Sequence, residues 1–149
     1  MTIADVADPT GGRGNWTYDC AGAQIRAHCR HLATVLTILG DIDAVNIDEV
    51  SKYLRRFILE DHPVVLDLSG VSYFSAAGIS LLQTLDENCH AAGVQWSLVA
   101  GPAVRQLLGD NRADAPFPLT GSVHEALRDL ADAIVSRRQL VLPLIKKTA

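Results

Sequence analysis

The sequence lacks the features that mark a membrane-spanning, secreted or nucleic-acid-binding protein. No apolar run approaches the ~20 residues of a membrane span. Residues Met1–Gly14 lack the charged region and following apolar region of a secretory signal. The net charge of −4 argues against a general basic surface for nucleic acid or anionic lipid. These absences predict a cytoplasmic protein with no membrane insertion and no nucleic-acid partner.

Cysteine is scarce, with only Cys20, Cys29 and Cys89. An odd number at irregular spacing does not make a disulfide framework and favours free thiols in a reducing compartment. A redox pair of Cys20 and Cys29 is the alternative. His28 and His31 flank Cys29, but neighbouring residues of a strand point to opposite faces, and no second ligand cluster occurs. We therefore predict no metal site.

Motifs for catalysis and phosphate binding are also missing. The Gly11–Gly14 segment lacks the Lys-Ser/Thr pair of a phosphate loop and does not follow a predicted strand. Neither a G-x-S-x-G elbow nor an H-E-x-x-H pair occurs. Asp41 and Asp43 lie two residues apart with no histidine or third acid nearby, which suits turn and capping roles. The sequence predicts a binding module that is not an enzyme and has no cofactor.

The composition is that of one globular domain with short extensions. The 149 residues include 48% apolar and 20% charged residues, enough for a core without disulfides or metal. We expect a flexible tail over 1–15, a domain over 16–139 and a C-terminal tail over 140–149. The last tail is too apolar to be free, so it packs either on the domain or on a second copy. A homodimer therefore stays open.

Periodicity predicts alternating strands and helices. Alternation of apolar and polar residues indicates a strand over 23–29, and short apolar runs indicate strands over 33–39, 64–68, 94–99 and 117–119. Apolar faces at spacings of three and four indicate helices over 46–58, 78–92, 102–108 and 122–138. Asn46 with Glu49, and Ser122 with Glu125, are typical of capping boxes, and Gly93 of a helix stop. Strands joined through helices imply a mostly parallel sheet.

The most informative stretch is 64–82. A buried strand, Val64–Leu68, is followed by a small-residue turn, Phe74–Gly78, and then by a helix. Open α/β sheets tend to place their functional sites where a strand, a tight turn and a helix N-terminus meet.

Asp67-Leu68-Ser69-Gly70-Val71 followed by Phe74-Ser75-Ala76-Ala77-Gly78 resembles the signature of STAS domains, the fold of bacterial anti-sigma factor antagonists. Two positions depart from the family pattern: Ser75 replaces an aspartate, and Ala76 replaces the serine that is phosphorylated. The resemblance implies a mixed, mostly parallel sheet of about five strands with about four helices. It also implies an antiparallel first strand, which we place at 23–29, at an edge.

The resemblance further implies the function. Members of the family bind an anti-sigma factor of histidine-kinase-like ATPase fold, which is also a serine kinase, and so release a sigma factor. The corresponding surface here would comprise Gly40–Asp43 and Ser75–Ser80. Its predicted partner-binding residues are Gly40, Asp41, Asp43, Ser75, Ala76, Ala77, Gly78 and Ser80.

Ala76 carries no hydroxyl, so the family's phosphorylation switch cannot work here in its usual form. Either the chain is a constitutive antagonist, or the phosphorylation site has moved to another hydroxyl such as Ser75 or Ser80. A third alternative is a scaffold subunit of a stress-signalling or transport complex, and a fourth is a small-ligand-binding domain. Ser75 also suits helix capping.

Overall fold

Seven strands and four helices follow one another in the computed structural model, which describes residues 15–30, 32–58, 62–108 and 117–148. The strands are β1 (Asn15–Cys20), β2 (Ala23–Cys29), β3 (Thr34–Ile42), β4 (Val64–Leu68), β5 (Val71–Phe74), β6 (Trp96–Ala100) and β7 (Leu119–Thr120). The helices are α1 (Ile47–Ile58), α2 (Ala76–Ala92), α3 (Pro102–Leu108) and α4 (Val123–Thr148).

All seven strands belong to one mixed sheet. Its order is β1-β2-β3-β4-β6-β7, and β5 pairs with β3 beside that path. The β1–β2 and β2–β3 pairs are antiparallel, and the other pairs are parallel. The predicted mixed, mostly parallel sheet with an antiparallel strand at its edge is therefore confirmed.

Two of these strands were missing from the sequence prediction. β1 takes the edge position that we expected for 23–29, so β2 is an inner strand. The turn between them uses Ala21 and Gly22, both at positive φ (37° and 106°). Two-residue hairpin turns need positive φ, which Asn-Gly or Asp-Gly signals more clearly than Ala-Gly does. β5 is a four-residue strand in the segment that leads into the predicted turn.

The sheet is covered on both faces, but unequally. On one face, α1, α2 and α3 bury their apolar sides against β1–β6 in a large core that includes Ile25, Leu36 and Leu66. On the other face, α4 covers a smaller cluster around Val35, Val65 and Val99, centred on Ala126. Burying both faces of the central strands explains their continuous apolar runs.

The helix ends follow the sequence closely except at α4. Gly93 ends α2 at φ 72°, with its N–H directed to the carbonyls of Cys89 and His90. Ser122 Oγ accepts from Glu125 N–H at 3.0 Å, as in the predicted capping box. α4, however, continues to Thr148 instead of ending near residue 138.

The predictions for the two ends of the chain fall largely beyond what the structure describes. Residues 1–14 lie outside the described residues, and the packing of the 140–149 side chains lies outside the description as well. Among the helices described, none is long and apolar enough to cross a membrane.

Candidate partner-binding site

The two predicted partner-binding segments meet where β3 and β5 end. In the parallel pairing of these strands, Asp41 lies opposite Tyr73 and Ile42 lies opposite Phe74. The Ser75 N–H then donates to the Ile42 carbonyl at 3.0 Å. Residues that lie over thirty positions apart in sequence therefore form one continuous surface, which comprises Gly40–Asp43 and Ser75–Ser80 and is called the β3–α2 surface below.

Gly40 allows the chain to bend at the start of this surface. It adopts φ 94°, and the register between β3 and β5 shifts at Gly40 and Asp41. A Cβ on Gly40 would overlap the Gly22 carbonyl oxygen. That oxygen instead accepts from Asp41 N–H at 3.0 Å, which joins the end of β3 to the β1–β2 turn. Both the backbone angle and the close approach require glycine here.

A buried amide holds the Gly40–Asp43 segment in place. Asn46 is fully buried, and its Nδ2 donates to the carbonyls of Asp41 (2.8 Å) and Ala21 (3.2 Å). Its Oδ1 accepts from Asp43 N–H at 3.1 Å. The predicted capping box of Asn46 with Glu49 is therefore wrong, since the Asn46 side chain turns towards β3 and the β1–β2 turn.

Asp43 takes the capping role instead. Its Oδ1 accepts from the N–H groups of Val45 (2.9 Å) and Asn46 (3.1 Å), and its carbonyl accepts from Ile47 N–H at 3.1 Å. Asp43 thus satisfies backbone donors that the start of α1 leaves open. The sequence interpretation of Asp43 as a turn and capping residue agrees with this geometry.

Ser75 is the N-cap of α2. It has an extended backbone (φ −90°, ψ 176°), and its Oγ accepts from Ala77 N–H at 3.2 Å. Its carbonyl accepts from Gly78 N–H at 2.9 Å. This geometry agrees with the interpretation of Ser75 as a helix cap. Phosphorylation of Ser75 or Ser80 stays a prediction.

The α2 part of the surface differs in exposure from residue to residue. Ala76 and Ser80 are exposed, Ala77 is half-buried, and Gly78 is buried. A Cβ on Gly78 would overlap the Phe74 ring, so this glycine lets α2 lie directly on the end of β5. Ala76 therefore presents a methyl group to solvent at the start of α2.

Two exposed apolar side chains beside this surface were missed by sequence reasoning. Val45, in the turn before α1, is 82% exposed, and Tyr73, on β5, is 54% exposed. An apolar residue among Asp43, Ala44 and Asn46 was the available signal for Val45. For Tyr73 the sequence offered no such signal, because the side of the sheet that a strand residue faces depends on the register of its strand, and β5 was not predicted.

The Asp67-Leu68-Ser69 motif shapes the turn between β4 and β5. Asp67 Oδ1 accepts from both the N–H (3.0 Å) and the Oγ (2.6 Å) of Ser69. The backbone of Ser69 also lies so close to Gly101 that a Cβ there would overlap it. These motif residues fix the turn that directs the chain into β5 and towards α2.

The alternative of a Cys20–Cys29 redox pair does not fit the geometry of the hairpin. Cys20 lies opposite Ala23, at the far end of β2 from Cys29. Six residues of strand separate the two positions by about 20 Å, whereas a disulfide needs Cα atoms within about 7 Å.

The third cysteine lies in the core. Cys89 is buried, and burial together with the nearby Asp86 carboxylate raises its thiol pKa to about 11. Over the described residues, no three His, Cys, Asp or Glu side chains gather closely enough to hold a metal ion. His31 lies outside the described residues.

Comparison with known proteins identifies the family. The STAS domain model matches residues 24–126. "Osmosensory protein A" of Mycobacterium tuberculosis (strain ATCC 25618 / H37Rv) is 59% identical over 140 residues, which cover 91% of this chain and 89% of that protein.

Solved structures share the fold at low sequence identity. An anti-sigma factor antagonist from Mycobacterium paratuberculosis superposes with a TM-score of 0.65 at 23% identity, over 73% of this chain and 94% of its own. The anti-sigma factor antagonist SpoIIAA in its unphosphorylated form gives a TM-score of 0.60 at 13% identity, over 72% and 96%. The suspected resemblance is thereby confirmed, and the chain belongs to the STAS domain family.

Proposed function

We propose that this protein is an anti-sigma factor antagonist that acts by binding and not by catalysis. The β3–α2 surface would bind an anti-sigma factor of histidine-kinase-like ATPase fold, and this binding would release a sigma factor. The proposal rests on the hydrogen bond that Ser75 N–H donates to the Ile42 carbonyl, because this bond joins the two segments into one surface. Such a role places the protein in the cytoplasm, as the sequence predicts.

Antagonism would persist in the presence of the partner kinase. Ala76 is exposed at the first position of α2 and offers no oxygen for phosphate transfer. The hydroxyl of the preceding residue, Ser75, accepts from Ala77 N–H and so serves as the cap of α2. A kinase that acts on the usual family position would therefore leave the complex intact.

The name of the mycobacterial relative favours a stress-signalling context. At 59% identity over most of both chains, a protein named for osmosensing supports a role in the response to osmotic stress. The same similarity supports a second candidate function, that of a non-enzymatic scaffold subunit in a stress-signalling complex. Both candidates use a protein-binding surface, and they differ in whether an anti-sigma factor binds it.

The test restores the missing hydroxyl. The protein and Ala76→Ser are each mixed with the host's kinase-type anti-sigma factors and ATP, then analysed by pull-down and intact mass. We expect the parent protein to stay bound without gaining phosphate. Ala76→Ser should gain one phosphate and lose binding, because about two negative charges then enter the interface.

Ala92→Ser is the matched control, since it makes the same change at an exposed position near the other end of α2. It should behave like the parent protein. Loss of parent binding as one phosphate appears would show that the switch has moved to another hydroxyl. Absence of binding to every anti-sigma factor would overturn the antagonist proposal and favour the scaffold.

A further inference from the structure

A groove of about 380 Å³ lies near the opposite end of β3 from the β3–α2 surface. Its lining residues are Arg30, Leu32, His124, Leu127, Arg128 and Ala131, and it is called the basic groove below. One wall is formed by Arg30 and Leu32, which lie between β2 and β3. The other is a single face of α4, because the four lining residues of that helix follow one another at helical spacing.

The charged side chains among the described lining residues of the basic groove are of one sign. Arg30, His124 and Arg128 are exposed there, and no carboxylate is among the lining residues that the structure describes. Within the described part of the chain, neither arginine forms an ion pair. In a protein of net charge −4, two arginines around one cavity make a local site for a negative charge.

Hydrogen bonds hold the Arg128 side chain and the Arg30 backbone at the rim. Arg128 Nη2 donates to His124 Nε2 at 3.2 Å, which fixes the guanidinium along α4. On the other wall, Arg30 N–H donates to the Ala33 carbonyl at 2.8 Å, and the His62 ring donates to the Arg30 carbonyl at 3.3 Å. Both the N–H and the carbonyl of Arg30 are therefore hydrogen-bonded.

The other described lining residues are apolar. Leu32, Leu127 and Ala131 are half-buried, and Leu127 also packs on the smaller core cluster beneath α4. A cavity of this volume suits a small organic ligand. Cationic groups at the rim and aliphatic groups below them complement a molecule with an anionic head and an apolar body.

We propose that the basic groove binds one amphipathic anion, a carboxylate or phosphate monoester that carries a medium-length apolar chain. Arg30 and Arg128 hold the head group by charge-assisted hydrogen bonds, and the apolar chain lies against Leu32, Leu127 and Ala131. The site is separate from the β3–α2 surface and does not depend on the function proposed there.

The test compares probes that separate charge from apolar area. Decanoate, decyl phosphate, decanol and inorganic phosphate are titrated into the full chain by calorimetry and followed by amide NMR shifts. We expect the two amphipathic anions to bind at one site with shifts around Arg30 and along the first turns of α4. Decanol and inorganic phosphate should each bind at least about tenfold more weakly.

Variants then assign the site. Arg30→Gln and Arg128→Gln should each weaken decanoate binding about tenfold, the loss expected for a charge-assisted contact. Arg55→Gln, an exposed arginine on α1 in the opposite layer, is the matched control and should bind like the parent. Circular dichroism melting curves check that each variant is folded.

Three results would overturn the proposal. They are decanoate binding that both arginine variants retain, inorganic phosphate binding as tightly as decyl phosphate, and no saturable binding of decanoate at millimolar concentration. Phosphatidylglycerol vesicles separate a free amphiphile from a membrane lipid. If vesicles capture the protein while dissolved decanoate does not bind, the groove is not a site for a single free anion.

Discussion

Two glycines determine how closely the parts of the β3–α2 surface approach one another. Gly78 lies against the Phe74 ring, and Gly40 lies against the Gly22 carbonyl. The family motif indicated that Gly78 is special, but the sequence could not tell a packing glycine from one exposed to a partner. Only the position of Phe74 at the end of β5 resolves this, and β5 itself was not predicted.

Replacing Gly78 with alanine should destabilise the fold. The added methyl group would overlap the Phe74 ring, so α2 or the ring must move, at a cost of about 1–3 kcal/mol in the free energy of unfolding. Ser80→Ala, at an exposed position two residues further along α2, should change it by less than about 0.5 kcal/mol. Urea unfolding measures both, and equal stability of the two variants would contradict this packing role.

Cys89 should react with alkylating reagents much more slowly than an ordinary cysteine thiol does. With a pKa of about 11, about one Cys89 thiol in a thousand is ionised at pH 8, and the side chain is buried as well. Iodoacetamide should therefore modify the half-buried Cys29 first, as read by peptide mass mapping. Rapid native labelling of Cys89 at pH 8 would contradict the expectation.

The same shift predicts a loss of stability at alkaline pH. The folded-state pKa of Cys89 is raised, so its contribution is fully present below the ordinary thiol pKa of 9.0. It is lost as the pH rises from there towards about 11, because the unfolded chain ionises first. Cys89→Ala should flatten this part of a urea-midpoint profile against pH, and an unchanged slope would assign it to other groups.

The strands and helices with a clear periodicity of apolar residues were predictable from the sequence. Those whose position depends on pairing with another strand were not. β2, β3, β4, α1 and α2 each show a clear apolar pattern in sequence. β1 contains Asn15 and Asp19 among its six residues, and its register comes from the hairpin with β2. α4 was expected to end near residue 138, because the apolar run that follows shows no single face.

β1 should nonetheless contribute strongly to stability through its aromatic contacts with α1. Tyr18 stacks on Tyr53 with ring centroids 4.1 Å apart, and it also meets Phe57 edge-on. Tyr18→Ala should cost about 3–5 kcal/mol in the free energy of unfolding, as for other buried aromatic truncations.

Thr17 is the control for Tyr18, because it is exposed on the opposite side of β1. Thr17→Ala should change the free energy of unfolding by less than about 0.5 kcal/mol. Urea unfolding compares the two variants. If Tyr18→Ala were as mild as Thr17→Ala, β1 would not be an integral strand of the sheet.

The two candidate sites lie towards opposite ends of β3, which is nine residues or about 30 Å long. Changes at one site should therefore leave the other unaffected, since distant substitutions are usually independent. Tyr73→Ala should weaken anti-sigma factor binding about tenfold, because exposed aromatic residues often dominate interfaces, and should leave decanoate binding unchanged. Arg128→Gln should weaken decanoate binding and leave anti-sigma factor binding unchanged.

Calorimetry and pull-down on the same two variants measure this independence. Loss of both activities in either variant, with the fold intact by circular dichroism, would show that the sites are coupled through the sheet. The sequence had indicated the first of these sites through the family motif. It had not indicated the basic groove, because Arg30 and Arg128 come together only when α4 crosses the sheet.

Asn46 has a consequence for the thermodynamics of docking. Its amide fixes the backbone at Ala21, Asp41 and Asp43 before any partner arrives. A surface ordered in advance loses little conformational entropy on association, and its backbone need move little. Partners that dock there would therefore associate at similar rates, and differences in affinity among them would arise mainly from how slowly each complex dissociates.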